Sequence, residues 1–319
     1  MRVLVTGGAG FLGSHLTERL VADGHRVTIL DDFNDYYDPR AKEENLESLT
    51  ARKAVRVVRG DIRDAEAVAK AFKEANPEVV VHLAARAGVR PSVLAPVLYH
   101  DVNTRGTLVV LEAARRIPVQ RFVFASSSSV YGRRPAGSAK PFAEDDAVES
   151  PVSPYGATKR AGEHHVKVAS RLHQMPAVCL RFFTAYGPRQ RPDMAIHKFA
   201  KLIVAGQELP IYGDGSTPKD YTYVGDIVEG IISAIDRPLE FATVNLGGGH
   251  AVRLMDLAAK LAHLLGRPLK VTHLPLQPGD VMESLSDLAK ARAVLGFSPK
   301  TGFDEGLAAF VDWFKLRRI

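Results

Sequence analysis

The chain has 319 residues, 46% of them hydrophobic and 24% charged, which is long enough to bury a core and too apolar for a disordered protein. Lys and Arg number 42 against 36 Asp and Glu, a net charge of +6. The basic residues are spread along the sequence, which argues against a nucleic-acid partner and suits a solvated surface or an anionic small substrate. The single cysteine, Cys179, lies in the apolar run AVCLRFF and excludes a disulfide framework within the chain. No stretch has the length of a membrane span, and MRVLVTGG leads straight into a strand, so no membrane partner and a cytoplasmic location are expected.

In chain order, RVLVTG, RVTILD, VRVVRGD, VVVHLAA, RFVFASS and AVCLRFF read as buried strands. Amphipathic segments such as GSHLTERLVADG and TRGTLVVLEAARR lie between them. Alternation of this kind predicts an α/β chain with a Rossmann-type doubly wound parallel sheet. Beyond about Phe183 the helical segments HKFAKLIVAG, GDIVEGIISAI and LMDLAAKLAHLLG no longer alternate strictly with strands. The expected division is a nucleotide-binding domain over 1–180, with a return segment near 222–250, and a smaller interleaved α/β substrate domain over 181–319.

The first strand runs into VLVTGGAGFLGSHL, with Gly7, Gly10 and Gly13 at three-residue spacing before a helix. Glycines there permit a tight turn and close approach of a pyrophosphate to free helix amides, although a triplet alone is equally a plain turn. The second strand ends in Asp31 and Asp32, where a carboxylate would take a ribose 2′-hydroxyl and repel a 2′-phosphate, favouring NAD. Asp61 and the segment His82–Ala85 end the third and fourth strands, where an adenine edge and phosphates would lie; ordinary strand packing explains Ala84 and Ala85 as well. The fifth strand ends in four serines, Ser126 to Ser129, and SPYGATK puts Tyr155 and Lys159 one helical turn apart. Such a pair is commonplace on a solvated helix. Beside a glycine turn and a serine-ended strand it makes one site for taking hydride and proton from an alcohol, the ammonium and a nicotinamide lowering the phenol pKa. No metal-ligand set is expected.

TGGAGFLGSH, HLAA, SSSSVYG, YGATK, NLGGG and QPGDV occur in that order, and over nearly its whole length the chain resembles the extended short-chain dehydrogenase/reductases, specifically the nucleotide-sugar 4-epimerases. The resemblance implies a tightly bound, recycled NAD held by Gly7, Gly10, Phe11, Leu12, Gly13, Asp31, Asn34, Asp61, Ile62, Leu83, Ala84, Ala85, Asn103, Tyr155 and Lys159. Tyr155 would be the base, Lys159 its partner, and Ser127 the hydroxyl that bridges substrate and base. It also implies a UDP-sugar substrate and a homodimer. Related dehydratases and decarboxylases carry acidic residues in the segment that here reads SSSSVYG, and neither activity is expected.

RAGVRPS and FFTAYGPRQRPDMA resemble the UDP-glucuronate 4-epimerases. On that resemblance Arg86, Arg90, Ser128, Ser129, Thr184, Arg189 and Arg191 face the sugar or diphosphate, Arg191 pairing with a carboxylate that a neutral hexose lacks. Arg189 and Arg191 read alone could equally be surface charges. Tyr212, Lys219, Gln277 and Asp280 would take the uridine end, Lys219 standing where relatives usually carry Arg. The other readings are a UDP-glucose or UDP-N-acetylhexosamine 4-epimerase and a non-catalytic NAD-binding regulatory module.

Overall fold

The structure is a computed structural model that describes residues 1–133, 140–147, 150–275 and 284–317. In chain order the elements are β1 (Arg2–Thr6), α1 (Phe11–Ala22), β2 (Arg26–Asp31), α2 (Arg40–Ala51), β3 (Val55–Arg59), α3 (Ala65–Ala75), β4 (Val79–His82), α4 (Val89–Leu94) and α5 (Pro96–His100). A π-turn at Asp101–Arg105 leads into α6 (Gly106–Ala114), β5 (Arg121–Ser127), a 3₁₀ turn at Ser128–Tyr131, α7 (Pro154–His173), β6 (Ala177–Phe182) and β7 (Thr184–Tyr186). The remainder is α8 (Ala195–Val204), β8 (Leu209–Tyr212), β9 (Pro218–Tyr223), α9 (Val224–Asp236), β10 (Phe241–Leu246), β11 (Ala251–Arg253), α10 (Leu254–Leu265), β12 (Val271–Leu274), α11 (Ala289–Leu295) and α12 (Phe303–Leu316).

Seven strands form one parallel sheet in the order β3-β2-β1-β4-β5-β6-β10. This is the doubly wound Rossmann-type α/β arrangement, with the order reversing between β1 and β4. Strand alternation explains why both faces are buried. Val3 and Val5 join one core with α1, α2 and α9, while Leu4 joins another with α3, α6 and α7. Cys179 lies in the second of these cores, its thiol pushed well up by burial, so it is an inert packing group.

A third core gathers α8, α10, α12, β8 and β9 around Phe303 and Phe310. The chain crosses between the two parts more than once. It leaves the sheet after β6, forms β7 and β9, which pair with each other, and returns through α9 to place β10 at the sheet edge. The crossings bring the loop after β7 over the carboxyl ends of the sheet strands. Among the described residues no helix is long and apolar enough to cross a membrane.

Candidate active site

The turn after β1 is built by exclusion of side chains. Gly7 has φ +72, and a Cβ there would lie 2.8 Å from the amide nitrogen of Ala84; at Gly13 it would lie 2.1 Å from the carbonyl oxygen of Gly7. At Gly10 nothing but the Gly7 carbonyl oxygen would come within 4 Å. The turn therefore sits tight against the segment that follows β4 and the start of α1 sits tight against the turn, while the Gly10 side stays open. No side chain caps α1, leaving its first amides for an anion.

Asp31 is buried at the end of β2 and accepts from the amides of Ala9 (3.1 Å) and Phe33 (3.0 Å) and from Lys42 Nζ (2.8 Å), which also lies 3.4 Å from Asp32. An open glycine edge, free helix amides and a pre-oriented carboxylate are what an NAD dinucleotide requires, so the residues present fit it. Lys42 carries no sequence signal of its own: it is one charge on α2 that folding brings to Asp31.

Others of the expected cofactor residues also brace the loops around the site. Asn34 donates to both Asp32 carboxylate oxygens and accepts from the Tyr36 amide. Arg63 grips both carboxylate oxygens of Asp61 and also reaches Asp101. Asn103, in the π-turn, accepts from the Arg86 amide and donates to the Arg86 carbonyl and to Thr158 Oγ1 at 3.0 Å, tying the loop after β4 to α7. His82 is neutral, pushed down to about 3 by burial, and bridges Thr6 and Thr107.

Proton chemistry centres on the start of α7. Ser153 caps the helix by accepting from the Gly156 amide, and Pro154 occupies its first position, which puts Tyr155 in the first turn. Gly156 is required because a Cβ would come within 2.5 Å of the Ser129 carbonyl oxygen, so the tyrosine helix docks directly on the serine turn. Ser127, at the end of β5, acts on the Tyr155 hydroxyl and favours its ionised form.

The expected lowering of the phenol pKa is not found in the protein alone. Burial raises it above 10, opposed in part by the Ser127 contact and the positive charge of Arg191. Lys159 is directed elsewhere: its Nζ donates to the Ala125 carbonyl at 2.7 Å, and burial pushes its pKa down to about 7 against the pull of Glu163.

Behind the serine strand, Glu163 takes the Ser126 hydroxyl at 2.6 Å and Arg181 in two hydrogen bonds of 2.8 and 2.9 Å, all three buried. Alternation along β5 thus turns Ser126 to the internal ion pair and leaves Ser127 for Tyr155. Neither Glu163 nor Arg181 carried a sequence signal, because their pairing depends on β6 lying beside β5.

On the sugar side, Arg191 pairs with Asp193 through Nε and Nη2, both at 2.9 Å, and its guanidinium lies over the Tyr36 ring. Arg86 lies over the same ring at 5.1 Å. Ser128 and Ser129 occupy the 3₁₀ turn beside Ser127, and Thr184 begins β7 opposite Tyr221. Arg189, held at φ +64, donates to Glu18 of α1 at 2.7 Å and, together with Arg191, borders a cleft between α2, α8 and α12.

At the nucleotide end the Arg90 guanidinium lies 4.3 Å from the Tyr212 ring centroid, joining α4 to β8. Lys219 lies in β9, bridged to Ser284. The next residue, Asp220, is fully buried and accepts from the amides of Gly248, Gly249 and Ser286 and from the Ser286 hydroxyl. A Cβ at Gly247 or Gly248 would collide with Ser286 or the Tyr221 carbonyl, so NLGGG is the wrapping of this carboxylate. Gln277 and Asp280 lie outside the described residues.

Residues 3–247 match the model of the NAD dependent epimerase/dehydratase family. The chain belongs to that family. Among its epimerases, the UDP-glucuronate 4-epimerase of Thermodesulfobacterium geofontis is 37% identical over 313 residues, covering 98% of this chain and 95% of the relative. The Bacillus cereus UDP-glucuronic acid 4-epimerase, solved with UDP-glucuronic acid and NAD, superposes with a TM-score of 0.92 at 34% identity, covering 99% of this chain and 100% of that one. The Thermus thermophilus UDP-glucose 4-epimerase, solved with NAD, gives 0.89 at 37% identity, covering 99% of each. Overall similarity establishes an NAD-dependent UDP-sugar epimerase, an isomerase, and does not by itself separate the acidic sugar from the neutral one.

Proposed function

We propose that the protein is a UDP-glucuronate 4-epimerase that retains and recycles one NAD while interconverting UDP-glucuronate and UDP-galacturonate. The observation that carries the choice of sugar is the placement of Arg191, whose charge bears on Tyr155 while its guanidinium shares the Tyr36 ring with Arg86. A guanidinium recognises a planar carboxylate by paired hydrogen bonds, and a neutral hexose gains nothing from it.

NAD, held by the glycine turn, the α1 amides and Asp31, supplies a reversible hydride acceptor. The chain's own groups do the rest. Tyr155 takes the proton of the sugar 4-hydroxyl, with the Ser127 hydroxyl beside it to share that proton, and returns it after the 4-keto sugar, tethered by its diphosphate, has turned over. Lys159, poised near 7, adjusts its charge at working pH. The 4-keto uronate is a β-keto acid, which loses carbon dioxide when its carboxylate turns perpendicular to the ring. Arg191, Thr184, Ser128 and Ser129 keep that carboxylate near the ring plane, and Arg90 with Tyr212 and Lys219 takes the UDP end.

We also assign self-association to the face of α4 to α7, where Leu94, Val97, Val168 and Leu172 are between 54% and 88% exposed. The buried free cysteine and a substrate made from nucleotide precursors suit the cytoplasm.

The deciding experiment incubates purified protein, without added NAD, separately with UDP-glucuronate and UDP-glucose, following sugars and carbon dioxide. UDP-galacturonate without gas is the expected result; turnover of UDP-glucose alone would return the site to a neutral-sugar epimerase.

A further inference from the structure

We infer that Tyr36 is a positioning residue for substrate recognition, assembling a carboxylate receptor out of Arg86 and Arg191; the inference rests on the UDP-glucuronate reading. Tyr36 belongs to the loop between β2 and α2, which no motif ties to the sugar. Its amide donates to Asn34 Oδ1 at 3.0 Å, and its hydroxyl reaches across to the Ala87 carbonyl at 2.7 Å, where the Tyr99 hydroxyl also donates at 2.9 Å. The ring is thereby fixed at both ends. Over it lie the guanidinium carbons of Arg86, at 5.1 Å from the centroid, and Arg191, at 5.7 Å.

Both distances are within the range of cation–π attraction, and an aromatic face fixes the plane of a side chain that is otherwise long and free. Two guanidiniums drawn to one ring repel each other unless an anion lies near. Asp193 neutralises one of them, occupying Nε and Nη2 of Arg191 and leaving Nη1. Arg86 has no carboxylate partner among the described residues. The three groups sum to one positive charge, the complement of one carboxylate. The phenols of Tyr36 and Tyr99 do not compete as anions, since burial pushes both above their ordinary range. The diphosphate is the competing occupant, but Arg90 and Tyr212 mark its end of the site.

The test compares Tyr36→Leu, Tyr36→Phe and Arg86→Ala in the NAD-loaded enzyme. It reads KM and kcat for UDP-glucuronate, Ki for UDP as a competitive inhibitor, and carbon dioxide released per turnover. Tyr36→Leu is expected to raise KM about tenfold and to increase gas release, with a smaller change in kcat and Ki for UDP unmoved. Tyr36→Phe keeps the ring and stays within about threefold, which separates the platform from the hydroxyl and covers a leucine variant that does not fold. Combining Tyr36→Leu with Arg86→Ala is expected to cost less than the sum of the two, because they remove one receptor. KM and Ki rising together would assign the arginines to the diphosphate and overturn the inference, as would a Tyr36→Leu enzyme with unchanged KM. A wild-type enzyme that turns over UDP-glucose and not UDP-glucuronate would instead overturn the uronate reading before any variant is made, and the inference with it.

Discussion

The cofactor end and the sugar end of this cleft are built by opposite means. At the cofactor end, short-range backbone geometry does the work: glycines with no room for a Cβ, uncapped helix amides, and an aspartate presented by neighbouring amides. At the sugar end, long side chains arrive from distant elements and owe their positions to one another, as Arg86 and Arg191 do to Tyr36. The first kind of site is written in residue spacing; the second exists only once the chain has folded. It follows that damage to the first removes the cofactor outright, while damage to the second changes which sugar is accepted.

The hinge between the two ends is Tyr155, and its loss should override the distinction. Tyr155→Phe is expected to lower kcat about a thousandfold on any accepted UDP-sugar while NAD stays bound, measured by steady-state turnover and absorbance of the purified protein. Gly13→Ala tests the backbone-built end. With a Cβ 2.1 Å from a carbonyl oxygen, the variant should lose copurified NAD and about 3 kcal/mol of stability in a urea titration. Retained NAD would mean that the turn adapts as a side-chain site does.

Arg191→Ala tests the other end. It should reduce kcat/KM for UDP-glucuronate about a hundredfold and raise carbon dioxide release, leaving NAD content intact. Equal loss on UDP-glucose would erase the contrast.

Lys159 gives a smaller effect, with a defined sign. Its ammonium is disfavoured in the fold, with a pKa of about 7 against 10.5 in the unfolded chain, so between those values the unfolded chain holds more protons. Lys159 should therefore make the stability of the NAD-free protein rise with pH above 7 by up to about 1.4 kcal/mol per unit and contribute no slope below 7, where the depressed His82 supplies one, and Lys159→Met should lose the slope above 7 alone. Urea unfolding at pH 6 to 9 reads this directly. Least affected should be Arg189→Ala. It removes a partly exposed pair with Glu18, costs under about 1 kcal/mol, and leaves turnover within about twofold.

The same contrast explains what could be read before folding. The parallel sheet, the glycine turn, Asp31 and the Tyr155-Lys159 spacing are local patterns, and the sequence carries them openly. Lys42, Tyr36, Glu163 and Arg181 were not legible because a single charge or ring has no local signature. Their meaning comes from partners such as Ala87, 51 residues from Tyr36, or from β6 lying beside β5. The tyrosine pKa shows a further limit. Spacing placed an ammonium one turn away, whereas the fold sends it to the Ala125 carbonyl and lets burial dominate.

Asp220 bears on how a map of tolerated substitutions for this protein would look. Gly247 and Gly248 would register as intolerant as any ligand contact, although what they accommodate is a carboxylate inside the protein. An engineer altering nucleotide preference should leave that triplet alone and work on the exposed partners around it, because intolerance there records an internal anion and carries no information about uridine.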